Sequence, residues 1–373
     1  MAVKTSPSSS TSQITYQSKI SRSLQALYVE VVRQEAGRPP VRYDVNRDRY
    51  IILSDQHRGA RDRADDFRHS EQAYNAALAY YYRLGYNLVV LGDVEELWKE
   101  RPATVVQAYG HSLGLEKRFH QAGRYLRFWG NHDDEWRHPD AVQKHLAPIF
   151  GPGLKVHQGL RIQIVDGSQH LGYLFLAHGH QGTLDSDRFG HYSRILVRYL
   201  YRPFQRLTGF SPNTPATTWE LREGHNRAMY NWVVRHRDVI LIAGHTHRPV
   251  FQSLTHPDQV IQDIEAKEAE LANDPGNQQL LEELALLEAE LEWIRAQQKT
   301  RPGSEGGDNP AVPRYFNTGC CSFIDGKITG IELFEGQIRL VRWPNGVRNP
   351  RPHILAPAPN QPPVWLRDIL VPL

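Results

Sequence analysis

Short apolar runs alternate along this chain with stretches whose apolar residues return every three or four positions. Arg49-Tyr50-Ile51-Ile52-Leu53-Ser54, Asn87-Leu88-Val89-Val90-Leu91 and Val239-Ile240-Leu241-Ile242-Ala243 are uninterrupted runs of strand length. Such runs suit strands covered on both faces. Between them the spacing turns helical. Ile20, Leu24, Leu27 and Val31 predict a helix over about 20–34, and Phe67 to about Leu84 predicts another, closed by Gly85. A further helical stretch leads into Tyr125-Leu126-Arg127-Phe128. This strand–helix–strand rhythm predicts an α/β fold with a mostly parallel sheet.

The pattern changes past residue 150. Gln163 to Val165 and Tyr173 to Ala177 read as strands, the second ending at His178-Gly179-His180. A long insertion with helical stretches follows, from about Gln181 to Arg237. Arg194, Arg198, Arg202 and Arg206 recur there every four residues, beside Ile195, Leu196, Tyr199, Leu200 and Phe204. From about 258 to 300, Leu280, Leu284, Leu287, Leu291 and Ile294 repeat at steps of four and three, a short heptad seam. With the turn Asn273-Asp274-Pro275-Gly276, the segment reads as two antiparallel helices, an inserted Glu-rich hairpin. Residues 301–309 form a Gly/Pro link. Strand patterns resume at Arg314 to Asn317, Ser322 to Ile324, Ile328 to Phe334 and Ile338 to Trp343, with Gly326 and Gly336 as hairpin turns.

These patterns divide the chain as follows. Residues 1–18, rich in Ser and Thr, read as a disordered tail without the apolar segment of a secretory signal. Residues 19–257 form the core, with 181–237 inserted as a helical lid. The hairpin covers 258–300, residues 310–343 return to the core, and 344–373 form a Pro-rich surface tail.

Composition narrows the classes of function. The chain of 373 residues can bury a sizeable core. Its net charge of +3 calls for neither nucleic acid nor membrane as a partner. No apolar run approaches the length of a membrane span. The two cysteines, Cys320 and Cys321, are adjacent and read as small buried residues. The absence of a disulfide framework fits a cytoplasmic protein. The eighteen histidines call for more attention, since histidine is both a metal ligand and a proton carrier.

Where those histidines fall is the informative part. Five strand ends carry Asp55-Gln56-His57, Gly92-Asp93, Gly130-Asn131-His132-Asp133, His178-Gly179-His180 and Gly244-His245-Thr246-His247. Any one of them alone is an ordinary turn or a surface pair, and Asp93 alone suits a helix cap. Five together, each directly after an apolar strand, predict convergence at the carboxyl ends of a sheet. Alternate-position ligands such as Asp-x-His and His-x-His point to one side of an extended segment. Mixed His, Asp and Asn donors suit Mn, Fe, Zn or Ni rather than Ca.

The order of these motifs resembles the calcineurin-like metallophosphoesterase superfamily. The matching residues are Asp55-x-His57, Gly92-Asp93-Val94-Glu95-Glu96, Gly130-Asn131-His132-Asp133, His178 and Gly244-His245-Thr246-His247, so the resemblance spans about residues 49–250 plus the C-terminal strands. It implies a four-layer α-β-β-α sandwich whose second sheet takes much of its content from those C-terminal strands. It also implies two divalent metal ions, with Mn favoured, and hydrolysis of a phosphoester or pyrophosphate by a hydroxide held between them. Asp93 would bridge the ions; Asp55, His57 and His247 would complete the first, and Asn131, His178 and His245 the second. His132 would protonate the leaving oxygen with Asp133 orienting it, and Glu96 would steady a ligand.

Within the superfamily, Gly92-Asp93-Val94-Glu95-Glu96-Leu97-Trp98 and the long insertion look like the UDP-2,3-diacylglucosamine hydrolase branch, whereas His132 and Gly179-His180 depart from it. The expected substrate is therefore a phosphorylated small molecule or a lipid-linked one, with a nucleotide-sugar lipid as the narrower form. A phosphatase or a nuclease of the same superfamily is the alternative, though nucleic acid is not an expected partner. A scaffold without catalysis would lack ligands that are all present here. From Asp187 to Arg237 there are nine arginines against three acidic residues. That excess reads either as a solvated helical face or as a basic lid making peripheral contact with an anionic membrane. The hairpin is the expected site of a homodimer contact, unless it satisfies its own seam.

Overall fold

The structure is a computed structural model and describes residues 9–182, 215–251, 256–277, several positions between 280 and 291, 314–357 and 361–370. It is mixed α/β, with two mixed sheets. The chain divides into two compact units, one of residues 1–211, 224–251 and 314–373, the other of 212–223 and 252–313.

The first unit opens with helix α1 (Ser9–Glu35), followed by β1 (Val41–Asp44) and β2 (Tyr50–Leu53). Helix α2 (Phe67–Arg83) ends where expected, with Gly85 at φ +80°, in the left-handed region that glycine adopts freely. Strand β3 (Asn87–Leu91), helices α3 (Pro102–Ala108) and α4 (Gly110–Gln121), and β4 (Tyr125–Phe128) come next. After α5 (Pro139–His145) and α6 (Ala147–Phe150) come β5 (Val156–His157), β6 (Gly159–Asp166) and β7 (Gln169–Ala177). Helix α7 (Pro215–Val234) leads to β8 (Val239–Ala243) and β9 (Pro249–Val250).

One sheet runs β1-β6-β7-β8, then β10 (Tyr315–Thr318) and β9. The other runs from β13 (His353–Ala356) through β12 (Gln337–Trp343) and β11 (Ile328–Phe334) to β2-β3-β4-β5, with β14 (Val364–Trp365) on β12. Strands β2 to β5 are parallel, and β11 joins them antiparallel to β2. The C-terminal strands β11 to β14 therefore supply half of the eight-stranded sheet, beside β2 to β5, and β10 joins the six-stranded one. The five motif-bearing strands are divided: β2, β3 and β4 lie in one sheet, β7 and β8 in the other.

Each sheet packs helices on one face. Ile51, Leu53, Leu88 and Val90 meet Tyr74, Leu78 and Tyr81 of α2 and Leu113 and Phe119 of α4. Phe175, Ala177, Leu241 and Ala243 meet Ile20, Leu24 and Leu27 of α1 and Met229 and Trp232 of α7. The alternate residues Ile52, Val89, Leu174, Leu176, Ile240 and Ile242 are also fully buried, which explains the uninterrupted apolar runs. Burying each such side chain stabilises by about 1.5–3 kcal/mol.

Other expectations change in detail. Helix α1 starts at Ser9, so half of the expected disordered tail is helical; the Ser/Thr run suits a helix start, and the apolar stripe behind it anchors the helix to the sheet. Ser322 to Ile324 is a turn rather than a strand, because β10 and β11 belong to different sheets and the chain must cross between them. Gly326 lies in that crossing, while Gly336 does close the β11–β12 hairpin. The Pro-rich tail contributes two edge strands and helix α9 (Leu366–Ile369). Among the described residues no helix is long and apolar enough to cross a membrane.

In the second unit, α8 (His256–Asn273) is followed by a turn at Asp274 to Asn277. Leu287 and Leu291 then pack on Ile261 and Ile264, so these parts of the heptad seam meet α8 itself. Arg194, Arg198, Arg202, Arg206 and Ile294 lie outside the described residues, as does most of the expected lid.

Candidate metal centre

The loops leaving β2 and β3 run on side by side past the ends of their strands. His57 N–H donates to Asp93 O at 2.9 Å, Arg58 N–H to Val94 O at 2.9 Å, and Glu96 N–H to Arg58 O at 2.9 Å. The loop after β4 closes over them, with His132 N–H on Asp93 Oδ1 at 2.8 Å. From the other sheet, Gly244 N–H donates to His178 O and His245 N–H to Asp55 Oδ2. Ends from both sheets thus meet.

The backbone is strained where they meet. Asp55, His57, Asp93, His245 and His247 all have left-handed φ, between 49° and 71°. They are five of the eight non-glycine residues with positive φ among those described. Each such residue costs on the order of 1–3 kcal/mol, and such strain collects at functional sites. Close approach adds a glycine requirement: a Cβ on Gly130 would collide with the Asp93 carboxylate and the His178 ring.

The side chains converge in three groups that could each hold a metal ion: Asp55 with His57 and His247, Asp93 with His178 and His245, and His57 with Glu96 and His132. In the first, His247 Nε2 lies 3.2 Å from Asp55 Oδ1 and 3.0 Å from His57 Nε2. In the second, His178 Nε2 lies 3.1 Å from Asp93 Oδ2. Asp93 Oδ2 is also 3.9 Å from His57 Nε2, so this one carboxylate oxygen faces both the first and the second group. Asn131 sits on the loop that covers Asp93, and its backbone oxygen is held by the Trp98 indole N–H.

The donor set fits divalent cations. Asn131 Oδ1 is buried without a hydrogen-bond partner, and Asp55 Oδ1 and His178 Nε2 have ion-pair contacts but no hydrogen bond, which is costly unless something else satisfies them. The opposite ring nitrogens are engaged from behind. His178 Nδ1 meets Leu91 O at 2.9 Å, and His247 Nδ1 lies 3.8 Å from Cys320 Sγ. An outer partner on one ring nitrogen, with the other presented inward, is the arrangement of metal-binding histidines.

Charge is concentrated here. Burial opposes the His178 imidazolium, yet Asp93 and Asp55 outweigh it and raise its pKa to about 9. Burial likewise opposes charge on His247, but Cys320 and Asp55 carry its pKa to about 10. Both carboxylates ionise well below the usual range, because the surrounding imidazoles overcome their burial. His245 goes the other way: burial, with His225 and His178 beside it, holds it well below its ordinary value.

The surroundings of His132 differ from expectation. Asp133 does not orient it. Its carboxylate accepts from Gly130 N–H at 2.6 Å and Val94 N–H at 2.9 Å, tying two loops together. Burial and the nearby Asp93 and Glu95 charges push the Asp133 pKa up to about 7. Glu96 takes the expected place instead, with its carboxylate oxygens 2.9 and 3.0 Å from His132 Nδ1. The turn sends Asp133 back to the backbone, so sequence adjacency misleads about reach. The His132 ring stacks on Trp98 at 4.2 Å between centroids.

Two further histidines border the second group. The His180 and His225 rings lie 6.5 and 5.2 Å from that of His245. Burial lowers their pKa values to about 3 and about 4, so both are neutral at physiological pH. His180 was visible in sequence as the second half of His178-x-His180. His225, on α7 within the expected insertion, carried no signal. No protein-family model matches the chain, and no curated protein matches its sequence.

Proposed function

We propose that this chain is a dimetal-dependent hydrolase of a phosphoester or pyrophosphate bond, with His132 as the proton donor. The observation that carries the reading is the pair of His/Asp groups joined by Asp93, built on strained strand ends from two sheets. On this reading the two sheets, each with helices on one face, form the four-layer α-β-β-α sandwich of the calcineurin-like metallophosphoesterases.

Asp55, His57, Asp93 and His247 would hold one ion, and Asp93, Asn131, His178 and His245 the other; the mixed oxygen and nitrogen donors suit Mn, Fe, Zn or Ni. When bound, such ions supply Lewis acidity toward phosphoryl oxygens and a nucleophile from water at neutral pH. The chain's own residues supply the rest. His132 is only partly buried, with 23 % of its side chain accessible, so it can reach a leaving oxygen. Glu96 engages its Nδ1, which leaves Nε2 to deliver the proton. Trp98 fixes the ring plane by stacking. Asp133 holds the loops that carry Asp93 and His132 in register.

Trp98 belongs to the Gly92-to-Trp98 stretch that looks like the UDP-2,3-diacylglucosamine hydrolase branch. A nucleotide-sugar lipid pyrophosphate is accordingly the narrower substrate we propose, with monoesters and diesters as the broader class. Metal analysis followed by a substrate panel tests both levels. The panel comprises p-nitrophenyl phosphate, its bis ester, UDP-sugar and CDP-alcohol pyrophosphates, and UDP-2,3-diacylglucosamine. The reading expects about two divalent ions per chain and turnover of at least one member. A chain that binds no divalent ion, or binds two and cleaves none of the panel, would sink it.

A further inference from the structure

We infer that Asn317, Tyr315 and Asn226 are positioning residues for the turn that carries His245 and His247, so that one hydrogen-bond chain orients a ligand of each candidate ion and ties helix α7 to both. The inference rests on the function proposed above only in taking His245 and His247 as ligands of different ions.

The chain of bonds starts on β10. Asn317 is fully buried, and its amide is fixed at both ends. Its Oδ1 accepts from Gly319 N–H at 3.0 Å, which turns Nδ2 the other way. There Nδ2 shares its two hydrogens among three oxygens: Gly244 O at 2.6 Å, Thr246 Oγ1 at 3.2 Å and the Tyr315 hydroxyl at 3.2 Å. Gly244 precedes His245, and Thr246 separates His245 from His247. The Tyr315 hydroxyl in turn donates to Asn226 Oδ1 at 2.9 Å. Asn226 lies on α7 beside His225, whose ring is 5.2 Å from that of His245.

The turn needs such support. His245 and His247 have φ of +71° and +59°. Left-handed backbone at residues other than glycine persists only where its surroundings hold it. Gly244 has no slack either, since a Cβ there would come within 2.5 Å of Ser54 Oγ and 2.6 Å of Asp55 Oδ2. The Asp55 carboxylate takes His245 N–H at 3.0 Å, and Asn317 takes Gly244 O and the Thr246 hydroxyl. Because both histidines stand on this one turn, a shift of it moves a ligand of each ion together. A network that only held the core would alter stability without altering both affinities. The tie also works in reverse: cations that fix the turn fix Asn226 through Tyr315, because coupling between binding sites is reciprocal.

The test uses the full chain with zinc as the only added ligand, as wild type, Asn317→Asp, Tyr315→Phe and Asn226→Ala. Asn317→Asp keeps the shape but turns an acceptor toward Gly244 O. Tyr315→Phe keeps the buried ring and removes one oxygen. Competition with a chelator reads the two zinc affinities, and amide hydrogen exchange reads α7. Asn317→Asp should lower both affinities by roughly 10–100-fold, the range for removing outer partners of ligand histidines. Tyr315→Phe and Asn226→Ala should lower both by less, whereas His247→Asn should lower one far more than the other. Zinc should slow exchange over residues 225–234 in the wild type, and slow it less in Tyr315→Phe and Asn226→Ala. These two variants serve if Asn317→Asp does not fold. Affinities unchanged in every folded variant, a fall confined to one ion, or exchange in wild-type α7 that is indifferent to zinc would overturn the inference. A wild-type chain that binds no zinc would overturn the proposed function with it. Two zinc ions and the expected shifts without phosphoesterase turnover would remove the proposed reaction and leave the positioning role standing.

Discussion

Two clusters of buried charge lie side by side in this protein, and they are satisfied differently. Arg58, Glu95, Glu116 and Arg127 are all fully buried. Each guanidinium meets both carboxylates: Arg58 pairs with Glu116 and, at 3.7 Å, with Glu95, while Arg127 pairs with Glu95 and, at 3.3 Å, with Glu116. Tyr74, Tyr125 and Trp136 donate further hydrogen bonds to the carboxylates. Charges alternate and cancel within the cluster. One residue from Arg58 lies His57, and two from Glu95 lies Asp93, in the other cluster, where acceptor atoms face one another. The first cluster balances its formal charge within the chain, two guanidiniums against two carboxylates, although Arg58 Nε and Nη1, Arg127 Nε and Glu95 Oε1 make no hydrogen bond. The second balances only with protons or cations added. That difference separates a structural network from a binding site.

Substitutions can break or sharpen the contrast. The largest effect is expected of Asp93→Ala, which removes the oxygen facing both groups. Metal analysis should find neither ion retained and activity at background, so two retained ions would refute the bridging role. His132→Ala should keep both ions and lower turnover on a poor leaving group by roughly 10²–10⁴-fold. Full turnover there would reassign the proton donor.

Arg127→Met should do the reverse of Asp93→Ala. Leaving Glu95 and Glu116 to share one guanidinium should cost about 3–5 kcal/mol in urea unfolding, with unchanged metal content in the folded fraction. If metal is lost and stability is not, the contrast between the clusters fails. Divalent ion at about 100 times its dissociation constant should raise stability by roughly 2.7 kcal/mol in the wild type and not in Asp93→Ala.

A further effect concerns pH, with EDTA present. His178 and His247 have folded-state pKa values of about 9 and about 10, above the ordinary 6.5. Their contribution to stability is fully present below about pH 6.5 and is lost as pH rises through 9 and 10. Thermal unfolding across pH 6 to 10.5 should show this decline. His178→Asn and His247→Asn should each flatten it, and a decline unaltered by both would point to other groups.

The strand ends were legible because a strand covered on both faces reads as an unbroken apolar run, and the polar cluster that closes it is then conspicuous. The partition of those strands between two sheets was not legible. Parallel strands such as β3 and β8 carry the same Val/Ile/Leu run whichever sheet they join. Arg127, a charge inside a buried strand, belongs to the first cluster and must find a partner. Its partners Glu95 and Glu116 come from a loop and a helix, and nothing in their spacing announces the pairing. The roles of Asp133 and Glu96 were exchanged for a related reason. Adjacency suggested that Asp133 would reach His132, whereas the turn directs it to two backbone amides and the parallel loop brings Glu96 alongside.

The sequence by itself determined which residue types stand at the strand ends, because ligand chemistry is a property of side chains and apolar runs mark where strands stop. Tertiary structure alone decided which donors share a group, which carboxylate holds which imidazole, and that Asp93 faces both groups. Those outcomes depend on left-handed backbone turns and on the meeting of two sheets. Distances of 3 to 4 Å between residues as far apart as His57 and His247 are set by packing, and no local pattern encodes them.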